Sequence, residues 1–122
     1  MIKIFIFDDS ESRIVCLLKR WNGDEIKYAT NYDDAIAILT KEPKFDLYLL
    51  DHDILIWDAI QHDFTIGKDG TDLVNFIVNT LPKEKRPSEI IVHSQNSDKG
   101  PEMTRSLLKA GISTGYFKFA YS

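Results

Sequence analysis

The sequence predicts an α/β fold, in which helices cover both faces of a parallel sheet. Short apolar runs alternate with segments whose apolar residues recur at helical spacing, and this alternation is typical of parallel sheets. One run, Asp46 to Leu50, is almost wholly apolar, as expected of a strand that helices bury on both sides. Acidic or polar residues directly follow three of the runs. We therefore expect the functional groups to meet at the carboxyl edge of the sheet.

The first half of the chain predicts two strands and two helices before the apolar run at 46–50. Strand 2–7 leads to Ser10, a good N-cap for a helix that Gly23 ends. A short strand over 25–29 follows. Thr30 or Asn31 then caps a second helix, which ends before Pro43. The apolar faces of the two helices contain Ile14, Leu17, Leu18, Trp21, Ala35, Ile38 and Leu39.

The second half predicts a long connection, two more helices and two more strands. The connection 54–69 is unusually apolar, so we expect a short helix or a hairpin that covers the site or binds a partner. The third helix follows, and the fourth strand spans 89–92. Pro101 suits the first position of the fourth helix, and a fifth strand spans 115–120. Core positions of the two helices are Leu73, Phe76, Ile77, Leu81, Met103, Leu107, Leu108 and Ala110.

Composition limits the classes of function. The 122 residues are enough for one domain, 1–122, with 43% apolar and 28% charged residues. A net charge of −4 makes binding to duplex nucleic acid unlikely. Cys16 is the single cysteine, which excludes an internal disulfide and a cysteine-based zinc site. No apolar run is long enough for a membrane span or a leader, so we expect a cytoplasmic protein and no membrane partner.

Carboxylates gather where the first and third strands end. Asp8 and Asp9 follow the first strand, and Asp51 and Asp53 follow the third. Three carboxylates in close contact raise one another's pKa unless a cation neutralises them. Mg²⁺ or Mn²⁺ suits such oxygen ligands and keeps coordination sites for a phosphate. The sequence therefore predicts a metal site formed by Asp8, Asp9 and Asp51, with a solvated acidic edge as the alternative.

Two histidines lie beside these carboxylates, His52 after the third strand and His93 after the fourth. An imidazole can act as a general acid or base, or bind a softer metal such as Zn²⁺, although structural roles are also common. By strand alternation, Asp51 and Asp53 would share a face while His52 points the other way. The candidate catalytic residues are Asp51, His52, Asp53 and His93.

The segment after the fourth strand leads into a helix N-terminus, whose free N–H groups favour an anion. Asn96 and Gly100 could shape a phosphate-binding turn there. An ordinary capped loop is equally compatible with the sequence.

The order of these landmarks resembles the receiver domain of two-component response regulators. Receivers have an acidic pair after strand one, here Asp8-Asp9, and a phospho-accepting Asp that ends an Asp-Leu-x-Leu-Leu-Asp run, here Asp51. They also have a Ser or Thr after strand four, here Ser94, and a Lys seven residues after Ala-Gly, here Lys118. The resemblance implies a flavodoxin-type three-layer sandwich with strand order 2-1-3-4-5.

Departures from that pattern resemble a narrower family, the cyclic-phosphate-processing receiver-like domains. They are the Leu50-Asp51-His52-Asp53 motif, Thr71-Asp72 after Gly70, and His93-Ser94-x-Asn96 followed by Gly100 and Met103. From the sequence we also expect a fifth helix to be absent and a long insert to follow strand three. This resemblance implies a small phosphorylated ligand, a cyclic phosphate, whose oxygens Ser94, Asn96 and Lys118 would hold.

Three functions remain open from the sequence. The first is a metal-dependent domain that binds a cyclic phosphate, with or without hydrolysing it, and is favoured by His52, Asp53 and His93. The second is a stand-alone receiver that is phosphorylated on Asp51. The third is a degenerate receiver that binds a protein through the 54–64 insert.

Overall fold

The computed structural model describes residues 2–21, 24–58, 60, 62–66, 68–94 and 96–117. Seven strands and four α-helices lie in these ranges. None of the helices in these ranges is long and apolar enough to cross a membrane. In chain order the elements are β1 (Lys3–Phe7), α1 (Glu11–Arg20), β2 (Glu25–Ala29), α2 (Tyr32–Lys41), β3 (Leu47–Leu50), β4 (Leu55–Asp58), β5 (Asp63–Ile66), α3 (Gly70–Asn79), β6 (Glu89–Val92), α4 (Lys99–Lys109) and β7 (Thr114–Tyr116).

Five parallel strands form the central sheet in the order β2-β1-β3-β6-β7. Without the strands of the insert this is the predicted order 2-1-3-4-5, and the predicted α/β fold is confirmed. At the carboxyl ends of the central strands, Leu50 of β3 pairs with Phe7 on one side and Val92 on the other. The residues that follow these three positions are therefore brought side by side.

The two faces of the sheet are covered unequally. Alternate side chains of β1 and β3 point to opposite faces, as the pleat of a strand requires. Phe5, Phe7, Tyr48 and Leu50 belong to a large core with residues of α2, α3 and α4. Ile4, Ile6, Leu47 and Leu49 belong to a smaller core with Ile14 and Leu17 of α1. Among the described helices, α1 alone covers that second face.

The apolar insert after β3 is a β-hairpin, one of the two forms predicted for it. Its strands β4 and β5 pair antiparallel, with Asp58 opposite Asp63, and form a separate two-stranded sheet. His62 in the turn has φ 54°, in the left-handed region that tight turns use. The backbone N–H of Gly70 donates to the carbonyl of His52 at 2.8 Å, so the two ends of the insert are tied together at the sheet edge.

Two predicted boundaries in the second half differ from the structure. Helix α4 begins at Lys99, two residues before Pro101, with Asp98 as its N-cap. Just before it, Asn96 Oδ1 accepts from the N–H groups of Asp98 and Lys99. Strand β7 spans Thr114–Tyr116 instead of 115–120. Residues 118–120 of that prediction lie outside the described residues. At the first helix, Gly23 also lies outside them, and α1 ends at Arg20 with Trp21 as its C-cap.

Candidate functional site

The first residues beyond three neighbouring strands meet at the carboxyl edge of the sheet. The backbone ladder continues past the strand ends, because Asp51 N–H donates to Phe7 O at 2.9 Å and His93 N–H donates to Leu50 O at 2.9 Å. Asp8 follows β1 in the same way, with its N–H donating to Ala29 O at 3.2 Å. Asp8, Asp51 and His93 are thus held in fixed positions by the sheet.

Three carboxylates converge at this edge. Asp8, Asp9 and Asp51 each contribute one oxygen, and these oxygens lie within 4.8 Å of one another. Asp8 is fully buried, Asp51 is 3% exposed, and Asp9 is half-buried. These are the three residues that the sequence suggests as metal ligands. The structure brings them together as expected, and metal binding itself stays a prediction.

Arg13 of α1 lies among the three carboxylates, and the sequence analysis missed it. Its Nε donates to Asp8 Oδ2 and its Nη2 to Asp8 Oδ1, each at 2.9 Å. The same Nη2 donates to Asp51 Oδ2 at 2.9 Å and lies 3.5 Å from Asp9 Oδ1. The available signal was the four-residue spacing from Asp9, which lies just before the helix N-cap, to an arginine in the first turn of the helix.

Burial changes the protonation of Asp51. Removal from water, followed by the negative charge of Asp8, raises the pKa of the Asp51 carboxyl to about 7. The positive charge of Arg13 and the N–H of His52, which donates to Asp51 Oδ1 at 2.8 Å, act in the opposite direction. A carboxyl with a pKa of about 7 is part protonated at neutral pH, so a metal ion that bound there would release its proton.

His93 lies next to the carboxylates and lines a cavity on the face of the sheet that α1 covers. It is 2% exposed, and its Nδ1 lies 3.7 Å from Asp8 Oδ2. Burial lowers the pKa of His93, more than the Asp8 charge raises it, so the imidazole is neutral at pH 7. The cavity, of about 150 Å³, is lined by His93 together with Leu17, Arg20, Trp21, Leu49, Ile91 and Phe117.

His52 and Asp53 form a separate group on the other side of the strand end. His52 Nδ1 lies 2.6 Å from Asp53 Oδ1, and its Nε2 lies 3.2 Å from Oδ2 of Asp69, the N-cap of α3. Asp53 is not among the three converging carboxylates of the described residues, because the chain leaves strand geometry after Leu50. The catalytic roles of His52 and Asp53 stay predictions. Asp69 is a second residue that the sequence analysis missed.

The predicted phosphate-binding residues have different surroundings. Ser94 is fully buried, and its Oγ accepts a hydrogen bond from Asn96 N–H at 3.0 Å. Asn96 Oδ1 accepts from the N–H groups of Asp98 and Lys99 at 3.1 and 2.9 Å, so the side chain caps α4. Its Nδ2 lies 3.5 Å from Asp53 Oδ1. Lys118 lies outside the described residues.

Two glycines of the family motif are required by close packing around this edge. A Cβ at Gly70 would lie 2.3 Å from Asp51 O and 2.8 Å from His52 Cα. A Cβ at Gly100 would lie 2.4 Å from the ring of Tyr116, whose hydroxyl donates to Ser94 O at 3.0 Å. The backbone of both motif segments is therefore held by contacts that a larger residue would prevent.

The donor atoms fit a hard divalent cation. All three converging side chains offer carboxylate oxygens, the ligands that Mg²⁺, Mn²⁺ and Ca²⁺ prefer. With the three carboxylates ionised, the single positive charge of Arg13 leaves a net negative charge at the cluster. A cation at this cluster would compete with the guanidinium of Arg13 for the same carboxylate oxygens.

One family model and several solved structures resemble the chain. The model of the cyclic-phosphate processing receiver domain matches residues 2–109, which confirms the predicted resemblance. The non-phosphorylated HemR receiver domain of Leptospira biflexa has a TM-score of 0.67 at 18% identity, with 100% of this chain and 85% of that one covered. Chemotaxis protein CheY4 of Vibrio cholerae has a TM-score of 0.65 at 20% identity, with 100% and 89% covered.

A response regulator from Burkholderia pseudomallei was solved with a phosphorylated aspartic acid, a calcium ion and citrate. Its TM-score is 0.64 at 18% identity, and 99% of this chain is covered. The match spans 62% of that protein, which is less than two thirds of its length. No curated protein gives a significant match to the chain. At these identities the structural likeness shows the fold alone.

Proposed function

Because the chain belongs to the family of cyclic-phosphate processing receiver domains, we propose that it binds a divalent cation together with a cyclic phosphate at the carboxyl edge of its sheet. One observation carries this proposal. Three carboxylate oxygens lie within 4.8 Å of one another, next to a buried histidine whose pKa is lowered. A fold that only needs to be stable gains little from burying several carboxylates at one point.

In this function Asp8, Asp9 and Asp51 would hold Mg²⁺ or Mn²⁺. The cation supplies positive charge that polarises a phosphate oxygen and favours attack on the phosphorus. Ser94, which adjoins His93, would hold another phosphate oxygen, as would Asn96 and the predicted Lys118. The Burkholderia response regulator, solved with a calcium ion and a phosphorylated aspartic acid, supports the proposal that this fold can hold both kinds of group.

His93 is the residue we favour as the proton carrier. Hydrolysis of a cyclic phosphodiester forms a bond from water oxygen to phosphorus and breaks one ring P–O bond, and the leaving oxygen takes up a proton. A neutral imidazole can accept the proton of the water and return it to that oxygen. His52 with Asp53 is the alternative pair, since Nδ1 of His52 contacts the exposed carboxylate of Asp53 at the same edge.

The test is a panel of 2′,3′-cyclic nucleotides, cyclic dinucleotides and cyclic sugar phosphates, assayed with Mg²⁺ and with Mn²⁺. We expect turnover of at least one class, and a fall of about 100-fold or more in His93→Gln, the usual scale for losing a general acid or base. His62→Asn, in the exposed hairpin turn, is the control histidine variant. Full activity in His93→Gln with loss in His52→Gln would transfer the role to His52.

A second function is favoured by the position of Asp51. It is the first residue beyond β3, with a pKa near 7, and a receiver phosphorylated there would act in signalling. Acetyl phosphate with Mg²⁺ would then add one phosphoryl group, detected by mass spectrometry and absent in Asp51→Asn. Turnover of a cyclic phosphate without this modification supports the first function.

The hairpin favours a protein partner as a third function. Ile60 in its turn is 92% exposed, the highest value among the exposed large apolar side chains of the described residues. Replacement of Ile60 by Ser would weaken such a complex without changing metal binding.

A further inference from the structure

Arg13 occupies the centre of the acidic cluster. Its guanidinium donates to both oxygens of Asp8 and to Oδ2 of Asp51, and it lies within ion-pair distance of Asp9. The side chain is 13% exposed, so these contacts are largely shielded from water. The backbone of Arg13 is fixed in the first turn of α1, where its N–H donates to Ser10 Oγ at 3.3 Å. The helix therefore fixes the attachment point of the side chain, and only rotation about the side chain's own bonds would take the guanidinium away from the carboxylates.

The guanidinium uses oxygen atoms that a divalent cation would also need. Asp8 Oδ1 already accepts from Ser10 N–H and from Arg13, and Asp51 Oδ1 accepts from His52 N–H. Asp8 Oδ2 and Asp51 Oδ2, the remaining oxygens of these two residues, both accept from Arg13. A guanidinium does not lose its charge at accessible pH, so Arg13 and a metal ion repel each other at this position.

We propose that Arg13 is the internal counterion of the acidic cluster, that a divalent cation displaces it from Asp51, and that the displaced guanidinium then holds the phosphate of the ligand. This inference rests on the proposed function and adds a residue to it. The planar guanidinium presents parallel N–H groups that match phosphate oxygens, a geometry that a lysine cannot offer. The metal ion and the phosphate would then bind cooperatively, because the metal releases the group that recognises the phosphate.

The proposal predicts opposite effects of one substitution on two affinities. Arg13→Gln removes the competing charge, so Mg²⁺ alone should bind more tightly, by at least about tenfold. The same variant also lacks the parallel N–H groups of the guanidinium that would bind the phosphate. Inorganic phosphate, which should raise Mg²⁺ affinity about fivefold or more in the wild type, should have almost no effect on the variant.

The experiment is calorimetric titration of Mg²⁺ into the full chain with and without inorganic phosphate. The variants are Arg13→Gln, Arg13→Lys and the exposed Arg105→Gln of α4 as the matched control. Arg13→Lys keeps the charge and guards against misfolding of Arg13→Gln. It should retain wild-type Mg²⁺ affinity to within a few fold and lose most of the phosphate effect. Arg105→Gln should behave as the wild type.

Two results would overturn the proposal in distinguishable ways. Weaker Mg²⁺ binding in folded Arg13→Gln, or an undiminished phosphate effect in Arg13→Lys, would show that Arg13 only positions the carboxylates. In that case the metal and phosphate functions of the site would stand. Failure of the wild type itself to bind Mg²⁺ would overturn both this inference and the proposed function.

Discussion

At the scale of single residues, burial decides the chemistry of this edge. Asp51 and His93 are both almost fully buried, and in both cases loss of water disfavours the charged form. The pKa of Asp51 therefore rises to about 7, and that of His93 falls. The edge combines a carboxyl that is part protonated at neutral pH with an imidazole that is neutral, a pairing suited to proton transfer.

The raised pKa of Asp51 predicts how stability depends on pH in the metal-free protein. The folded-state pKa, about 7, lies above the reference value of 3.8, so between these values the folded chain binds a proton that the unfolded chain has released. From this group, the free energy of unfolding should fall by up to about 1.4 kcal/mol per pH unit as pH rises through that window, and level off above pH 7.

Asp51→Asn isolates this contribution, since an amide does not titrate. Urea unfolding at pH 5 to 8 with a chelator present should show the variant gaining stability relative to the wild type as pH rises. Asp33→Asn, on the exposed first turn of α2, is the control and should follow the wild type. A stability difference between Asp51→Asn and wild type that is constant with pH would contradict the assigned pKa.

The sequence could predict some residues of the acidic cluster and not others. Asp8, Asp9 and Asp51 could be predicted to converge because the carboxyl ends of neighbouring parallel strands meet by topology. Arg13 could not be chosen in the same way, because an arginine in a first helical turn usually faces solvent. Its contact with Asp51 depends on the angle at which α1 crosses the sheet edge, and local spacing does not give that angle.

At the scale of elements, the sequence predicted the kind and order of most segments. The apolar character of 54–69 correctly excluded a structureless loop, but short apolar runs fit a helix or a hairpin equally well, and pairing of Leu55 with Ile66 decided between them. The start of α4 was misjudged because Pro101 suggested a first helical position, whereas the local signal was Asn96, whose side chain accepts from the N–H groups of Asp98 and Lys99.

The junction between the hairpin and α3 yields a prediction about Gly70. Its missing side chain lets the first turn of α3 approach the backbone that carries Asp51 and His52. A Cβ at this position would overlap backbone atoms, which cannot rotate away, so Gly70→Ala should lower the free energy of unfolding by about 1–3 kcal/mol. Replacement of a helical glycine by alanine normally stabilises a protein, so a loss of stability in this variant would point to the backbone clash.

Gly115→Ala is the matched control for that measurement, because a Cβ at Gly115 meets no atom within 4 Å. Urea unfolding of the two variants and the wild type gives the comparison directly. Equal stability of Gly70→Ala and the wild type would show that the contact between α3 and the strand end is loose.

At the scale of the whole molecule, the parallel sheet places the residues that follow its central strands side by side at its carboxyl edge. Three helices pack on one face and α1 on the other among the described residues, and the cavity that reaches His93 lies on the α1 face. Proteins below 25% identity share this fold, so the fold does not decide between a cyclic-phosphate domain and a phospho-accepting receiver. Measurements of metal binding, phosphorylation and hydrolysis at the carboxyl edge of the sheet are needed to choose between these two functions.

Binding of a divalent cation at the acidic cluster tests the account most directly. Thermal unfolding should be followed with and without millimolar Mg²⁺ or Mn²⁺ for the wild type, Asp51→Asn and Glu84→Gln. Glu84 is exposed in the turn before β6, at the opposite edge of the sheet, and serves as the control for removal of one charge. A cation at 100 times its Kd stabilises the folded state by about 2.7 kcal/mol. We predict a clear rise in Tm for the wild type and Glu84→Gln, and a much smaller rise for Asp51→Asn. Equal shifts in all three proteins, or no shift in the wild type, would contradict a metal site at Asp8, Asp9 and Asp51.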